Sequence, residues 1–321
     1  MREIVLNSVR PIAESLRYVE IDGECAKDFC GSHVPGDIVL PRWQEDFIYP
    51  WDNSEAADFF LLFNCINFAF WKKEGKKKWG IQYKGRRMDG AYALMGALTR
   101  AVEEGLPILD GSFLKQMTPQ MLGEILRGDG ELVLFQERVD ILREVGAGLV
   151  ERHGGKFGRL LKKAEGSASN CAKLLVHEFP SFNDTCRVNG MEVKFYKRAQ
   201  LAPAMIYGRF NGRGPGAFDD IDDLTVFADY KLPQALRALG ILKYSNELAG
   251  KVDSRTPLAA CSREEVEIRA ATVWACELLL EEYARVTHRV NSVKVDAFLW
   301  LLVHEKTFSA RPYHRTETVF Y

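Results

Sequence analysis

The sequence predicts a mainly α-helical protein that carries two short β-hairpins. Three observations lead there. Most of the chain reads as apolar-periodic segments, those segments open on cap residues and close on Gly or Pro, and only two stretches carry hairpin chemistry. Residues 1–53 read as an irregular segment packing on a helical body, punctuated by Pro11, Gly23, Gly31, Pro35, Gly36, Pro41 and Pro50. Residues 54–71 then form an aromatic-rich run, apolar on nearly every side, which predicts a central helix. Asn64 and Asn67 lie inside it and must find hydrogen-bond partners or face a cavity. A hairpin is predicted over 79–90 around Lys84-Gly85, and a stronger one over 186–195, because Asn189-Gly190 favours a type I′ turn. Helices are predicted over 91–104, from Thr118-Pro119 to Gly128, over 135–153, and over 167–179 between Ser167 and Pro180. Ser262-Arg263-Glu264-Glu265 is a capping box opening a long helix to about Val286, and Asn291-Ser292 opens the last helix, through Glu305. No repeat or low-complexity tract divides the chain, so 1–321 is read as one domain.

Composition narrows the class. A chain of 321 residues, 47% hydrophobic and 27% charged, fits a globular protein with a substantial core. Its 43 Lys and Arg against 44 Asp and Glu give a formal charge of −1, which disfavours a long nucleic acid as partner and leaves a small anionic ligand met by a local basic cluster. Apolar runs such as 59–63 are far too short to span a bilayer, and the first residues lack the apolar stretch of a signal peptide. The seven cysteines form no Cys-x-x-Cys pair and read as reduced, mostly buried thiols, which places the protein in the cytoplasm. The histidines form no His-Glu-x-x-His pattern, and Cys25 and Cys30 lack partners at finger spacing, so no metal site is expected.

Four constellations carry chemistry. In Thr225-Val226-Phe227-Ala228-Asp229-Tyr230-Lys231-Leu232-Pro233-Gln234, a carboxylate follows an apolar run just before a helix that Pro233 favours. Asp229 there either caps the helix or, held ionised near its positive end, faces the cation that develops when a glycosidic bond breaks. Lys197 and Arg198 lie where a hairpin strand meets a helix and suit a phosphate, although by sequence alone a solvated basic pair is the favoured reading. Tyr313-His314-Arg315 offers a second anion clamp or simply a frayed tail. Asp296, Trp300 and His304 recur every four residues along one helical stripe. Such a row suits a planar heterocycle, with the carboxylate accepting ring N–H groups and the indole covering a face, or else it is an amphipathic helix with a boundary Trp. The Gly-rich stretch 208–216 lacks a Gly-Lys-Ser/Thr ending, and Pro215 removes a donor, so it reads as a surface loop.

These residues resemble the queuosine salvage protein family, whose members free the base queuine from queuosine 5′-phosphate. The resemblance runs from about Asp58 to Tyr321. It rests on Asn67-Phe68-Ala69-Phe70-Trp71, on Phe195-Tyr196-Lys197-Arg198-Ala199-Gln200, on the Phe227 to Gln234 motif and on Glu265-Val266-Glu267-Ile268-Arg269. The Asp296, Trp300, His304 row and the ending His314-Arg315-Thr316 to Phe320-Tyr321 add to it. It implies that Asp229 is the catalytic carboxylate, and that Phe227 with Asp296, Trp300 and His304 holds the base. Argued from the residues rather than the family, Lys197 and Arg198, joined by His314 and Arg315, are expected to hold the 5′-phosphate. The resemblance further implies a fold similar to helix–hairpin–helix DNA glycosylases, with 233–239, Gly240-Ile241-Leu242 and 245–252 as the unit, although the usual Gly-x-Gly is absent. The first 50 residues align poorly. A base-contacting His of relatives has no clear match there, with His33, Phe47 and Tyr49 as substitutes, and no role is carried over. The expected reaction is hydrolysis of queuosine 5′-monophosphate to queuine and ribose 5-phosphate, without cofactor or metal. The alternatives are a DNA or tRNA base glycosylase using the same Asp, and a non-catalytic nucleotide-binding protein.

Overall fold

A computed structural model of the chain describes residues 1–33, 38–287 and 290–321. Pro35 and Gly36, expected as loop punctuation, lie outside the described residues. The N-terminal part departs from the irregular reading. It forms helix α1 (Arg2–Ala13), strand β1 (Val19–Ile21) and helix α2 (Gly23–Ser32). Pro11 is tolerated in the last turn of α1, and Asp22 caps α2 by accepting from the N–H groups of Glu24 and Cys25, so Pro and Gly there mark helix ends rather than their absence.

Helix α3 (Glu55–Cys65) is buried along nearly its whole length, as its all-round apolarity requires. It stops at Ile66, well short of the predicted Trp71. The reason is tertiary: Ala69 takes a left-handed φ of 46° and its N–H donates to the Tyr321 carbonyl (2.9 Å), while the Arg138 guanidinium holds the Phe68 carbonyl. Both predicted hairpins are present, β2 (Gly80–Tyr83) with β3 (Arg86–Asp89), then β4 (Thr185–Val188) with β5 (Met191–Lys194). Asn189 and Gly190 both have positive φ (51° and 78°), the type I′ geometry that their pairing predicted.

Between the hairpins lie α4 (Gly90–Glu103), α5 (Gly111–Lys115), α6 (Pro119–Ile125), α7 (Phe135–His153), α8 (Phe157–Lys163) and α9 (Ala168–Glu178). After them come α10 (Lys197–Phe210), α11 (Lys231–Ala238), β6 (Leu242–Tyr244), α12 (Asn246–Asp253), α13 (Arg263–Ala284) and α14 (Ser292–Leu302). Thr118, Ser167, Ser262 and Asn291 each accept a backbone N–H as helix caps, as their positions predicted. The antiparallel pair β1–β6 joins residues more than two hundred apart and could not be read locally. The structure is thus mainly helical with three short antiparallel strand pairs among the described residues. Helix α13 packs on α1 and α2, α3 on α10, and α11 on α14, and one continuous apolar core runs through them.

The expectation of seven free thiols is corrected at two positions. Cys186 and Cys261 are joined in a disulfide with Cα atoms 5.2 Å apart, and Cys25, Cys30, Cys65, Cys171 and Cys276 are free. The two partners are 75 residues apart in sequence, and only the packing of β4 against the start of α13 brings them together. Among the described residues no helix is long and apolar enough to cross a membrane.

Candidate active site

The segment from Thr225 to Asp229 has no strand partner; instead, four helices pin it. Thr225 exchanges hydrogen bonds with Gln200 of α10, its N–H donating to Oε1 and its Oγ1 accepting from Nε2, both at 2.9 Å. The Phe227 N–H donates to Asp296 Oδ1 of α14 (2.8 Å). The Ala228 carbonyl accepts from Arg269 Nε of α13 (3.0 Å). Asp229 then caps α11, its Oδ1 accepting from the N–H groups of Lys231 (2.6 Å) and Leu232 (3.1 Å). The two readings of Asp229 are therefore compatible: one carboxylate oxygen caps the helix, and Oδ2 has no hydrogen-bond partner among the described residues on a side chain that lines a cavity. A buried carboxylate fixed by backbone donors stays oriented without spending its second oxygen.

That cavity, about 190 Å³, also takes in Phe227, Asp296, Trp300, His304 and Lys197 from the sequence-predicted set. The row on the last helix thus faces one space. Trp300 and His304 lie with ring centroids 4.2 Å apart, and His304 Nδ1 is 2.6 Å from the Trp300 carbonyl. Residues the sequence did not single out complete the aromatic wall. Trp43 and Tyr92 meet Trp300 edge-on at 6.1 and 5.4 Å. Of the substitutes named for a base-contacting residue in the N-terminal segment, His33 stacks on Phe29, while Phe47 and Tyr49 pack in the core; none lines the cavity. Asn67 lines it, its Nδ2 donating to Asn64 Oδ1 (3.4 Å), while Asn64 Nδ2 donates to the Phe60 carbonyl (2.9 Å).

The electrostatics follow from burial. Asp296, 6% exposed, has its carboxyl pushed well above the usual range by desolvation; the nearby Asp229 charge adds to this, and the Phe227 N–H and Lys197 oppose it. Lys197 is pulled below its ordinary value by the same burial, against the pull of Asp229 and Asp296. Lys231, also on the cavity wall, is lowered to about 8, chiefly by desolvation and despite Asp229. His304 is likewise lowered by burial, so its imidazole is held toward the neutral form. Among the described residues three carboxyls, Asp89, Asp229 and Asp296, and three ammonium groups, Lys78, Lys197 and Lys231, share the cavity wall, and partial burial strengthens their action on a charge developing on a ligand.

The expected phosphate clamp is taken up only in part. Lys197 lines the cavity, but Arg198 turns into the core, its Nη1 donating to the Asn64 carbonyl (2.8 Å) and to that of Cys65, its Nη2 to that of Ser181. A cation there neutralises the C-terminal end of α3. His314 is 1% exposed, sealed near Arg269 and Tyr321, and lowered to about 3 by burial, so it is neutral and away from the cavity. Arg315 borders a neighbouring groove. The cations actually on the cavity wall besides Lys197 are Lys78 and Lys231. Lys231 sits inside the Asp229 motif and was open to discovery there; Lys78 and Trp43 carry no local signal.

Arg269 links both sides of the site. Its Nη1 and Nη2 donate to Asp184 Oδ1 (2.9 Å) and Oδ2 (2.6 Å), and Asp184 Oδ2 also accepts the Lys197 N–H (3.0 Å) at the start of α10. Through Ala228 on one side and Asp184 on the other, one buried guanidinium sets the spacing between Asp229 and Lys197. Glu265 lies 3.5 Å from the same guanidinium and accepts the Tyr321 hydroxyl (2.7 Å). Among the described residues no group of three or more His, Cys, Asp or Glu side chains is gathered as a metal would need.

A family model described as queuosine salvage protein matches residues 48–321. The chain is 38% identical over 317 residues to the queuosine 5′-phosphate N-glycosylase/hydrolase of Sphaerobacter thermophilus, covering 99% of this chain and 97% of that one. It is 36% identical to the protein of the same name from Bos taurus and 34% identical to that from Mus musculus, each match covering 98% of this chain and 97% of the relative. These alignments reach across the N-terminal segment, which the sequence motifs alone left unplaced. With a family match over most of its length and full-length relatives above 30% identity, the chain belongs to the queuosine salvage protein family.

Proposed function

We propose that the protein hydrolyses the N-glycosidic bond of queuosine 5′-phosphate, releasing queuine and ribose 5-phosphate. The observation that carries this reading is the uncommitted Oδ2 of Asp229 beside an aromatic slot holding Phe227, Trp300 and Asp296. A 7-deazaguanine base has no ring nitrogen at position 7 to protonate, so departure of the base depends on stabilising the ribosyl cation and on hydrogen bonds to the leaving group. Asp229 lies beneath C1′ as the C1′–N bond lengthens, its charge facing the oxocarbenium ion while the bonding pair leaves with the base nitrogen; water then adds its oxygen to C1′, and the proton it sheds balances the one the base nitrogen takes up as queuine. Phe227, Trp300 and Trp43 flank the base. Asp296, whose Oδ1 accepts the Phe227 N–H, accepts base N–H groups through its other oxygen, and His304 closes the row as a neutral imidazole. Lys231, Lys78 and Lys197 receive the 5′-phosphate, whose binding energy orients the ribose remote from the reacting bond. The proposed step uses side chains of this chain and water alone.

The fold proposed with it is a single helix–hairpin–helix DNA-glycosylase-like domain over 1–321. Its support is the succession of α11, Gly240 with φ 77°, β6 and α12, with Asp229 at the entry. A cytoplasmic location is supported by the five free thiols, and the Cys186–Cys261 bond speaks against it. The test is a chromatographic assay for queuine release from the mononucleotide, the nucleoside and intact tRNA. Release from the mononucleotide with the highest kcat/KM supports the proposal. Release from tRNA alone points to a polynucleotide glycosylase, and a complex that frees no base points to a binding protein.

A further inference from the structure

A groove opens beside the cavity and shares Lys78 and Tyr313 with it. Three separate parts of the chain build its wall: Lys72, Lys77 and Lys78 before β2, Arg255 after α12, and Arg311 and Arg315 near the C-terminus. Among the described residues six cations line it and no carboxylate does, in a chain whose formal charge is −1, so the concentration is local. Three are paired with carboxylates: Lys77 with Asp129 (2.5 Å), Lys78 with Asp89 (2.5 Å), which lines the neighbouring cavity, and Arg311 with Asp253 (3.5 Å). Lys72, Arg255 and Arg315 have no carboxylate partner among the described residues; Arg315 lies 5.9 Å from the Trp71 ring. Arg255 occupies a left-handed position (φ 62°) after α12, where glycine is the usual residue. Gln234 joins groove to cavity directly. Its Nε2 donates to the Arg311 carbonyl (2.7 Å), and its Oε1 accepts from Lys231 Nζ (3.1 Å).

Like charges held together by the fold are relieved by an anion, and a concave basic wall focuses that attraction. We propose that this groove is a second anion subsite, which takes a further phosphoryl group attached to the 5′-phosphate of the nucleotide in the cavity. The inference rests on the function proposed above. It extends the substrate class to 5′-extended nucleotides, in which the second phosphate is joined either as an anhydride, in the nucleoside 5′-diphosphate, or as a phosphodiester to a preceding nucleotide. The 5′-phosphate meets Lys231 and Lys78, and the next anion along the chain meets Lys72, Arg255 and Arg315.

Two measurements test it on the full chain and on the double variant Lys72→Glu/Arg255→Glu. Calorimetric titration with inorganic phosphate and inorganic pyrophosphate does not depend on the reaction. Pyrophosphate is expected to bind the wild type about tenfold more tightly than phosphate, as charge-assisted bonds to Lys72, Arg255 and Arg315 allow, and the double variant, with two of the three reversed in charge, is expected to lose that advantage. Base release is then followed from queuosine 5′-monophosphate, queuosine 5′-diphosphate and a dinucleotide ending in queuosine. The variant is expected to turn over the monophosphate as the wild type does, while KM for an extended substrate rises about tenfold, the same electrostatic increment. A rise for the diphosphate alone assigns the groove to anhydrides, and a rise for the dinucleotide alone assigns it to the phosphodiester. Equal affinity for pyrophosphate in both proteins, or extended substrates unaffected by the variant, overturns the subsite. Failure of the wild type to release base from the monophosphate sinks the proposed function instead, and the pyrophosphate titration still decides the groove.

Discussion

Replacing Asp229 with Asn separates chemistry from fold. Asp229 is 8% exposed, and its Oδ1 accepts two N–H groups at the start of α11. Asn caps helices about as well as Asp, so the amide keeps the α11 cap and the variant melts close to the wild type. On the proposed mechanism, what it loses is the negative charge beneath C1′. A unit charge about 4 Å from the developing cation, at an effective dielectric of about 20, contributes about 4 kcal/mol. Each 1.36 kcal/mol is a factor of ten, so kcat is expected to fall about a thousandfold. KM changes little, because the base and phosphate contacts lie elsewhere. Single-turnover release of queuine from the 5′-monophosphate, beside thermal melting, measures both quantities. Asp229→Ala is expected to lose the same activity and, in addition, about 1 kcal/mol of stability with the cap. An Asn variant that folds normally and turns over within about tenfold of the wild type refutes the electrostatic role, since that loss corresponds to only about 1.4 kcal/mol.

Further outcomes are expected at the same site. Lys231, lowered to about 8 by burial, is a cation below that pH and neutral above it, so kcat/KM for the 5′-monophosphate falls as pH rises through about 8. The nucleoside, which has no phosphate, shows no such fall, and Lys231→Arg abolishes it; a profile identical for both substrates contradicts the assignment. On the proposed reading, Trp300→Ala and Trp43→Ala each remove aromatic surface from the base slot, and stacking worth about 1–3 kcal/mol raises KM by about fivefold to 150-fold. An unchanged KM in both removes the slot from the binding account. Arg269→Lys keeps a positive charge for Asp184 but cannot also reach the Ala228 carbonyl, leaving a buried acceptor unpaired at about 1–3 kcal/mol. Because that carbonyl precedes Asp229, kcat is expected to fall more than KM rises; a loss of stability with unchanged kcat makes Arg269 purely structural.

Local rules carried the reading of most elements. The Asn189-Gly190 turn, the Ser167 and Ser262 caps and the long helix after them were all legible, because each depends on residues within one turn of each other. The N-terminal helices escaped because α1 tolerates Pro11, and α2 contains Gly23 and Gly31, so punctuation residues lie inside the elements they were taken to break. In the site, the Asp296, Trp300, His304 row was legible from its spacing, and Asp229 from its place before a helix. Arg198 was misplaced because the sequence shows a basic pair but not that the second cation meets the carbonyls ending α3.

By itself, the sequence determined the helical class, the two hairpins, the cap at Asp229 and the helical stripe that lines the cavity, since hydrogen bonds and periodicity within a turn do not need the rest of the molecule. The tertiary structure alone decided where α3 stops, that Cys186 meets Cys261, that Trp43 reaches the cavity beside Trp300 and which lysines border it. Those outcomes depend on contacts between residues tens to hundreds of positions apart. Such contacts are set by how buried faces pack against one another, and no local pattern records them.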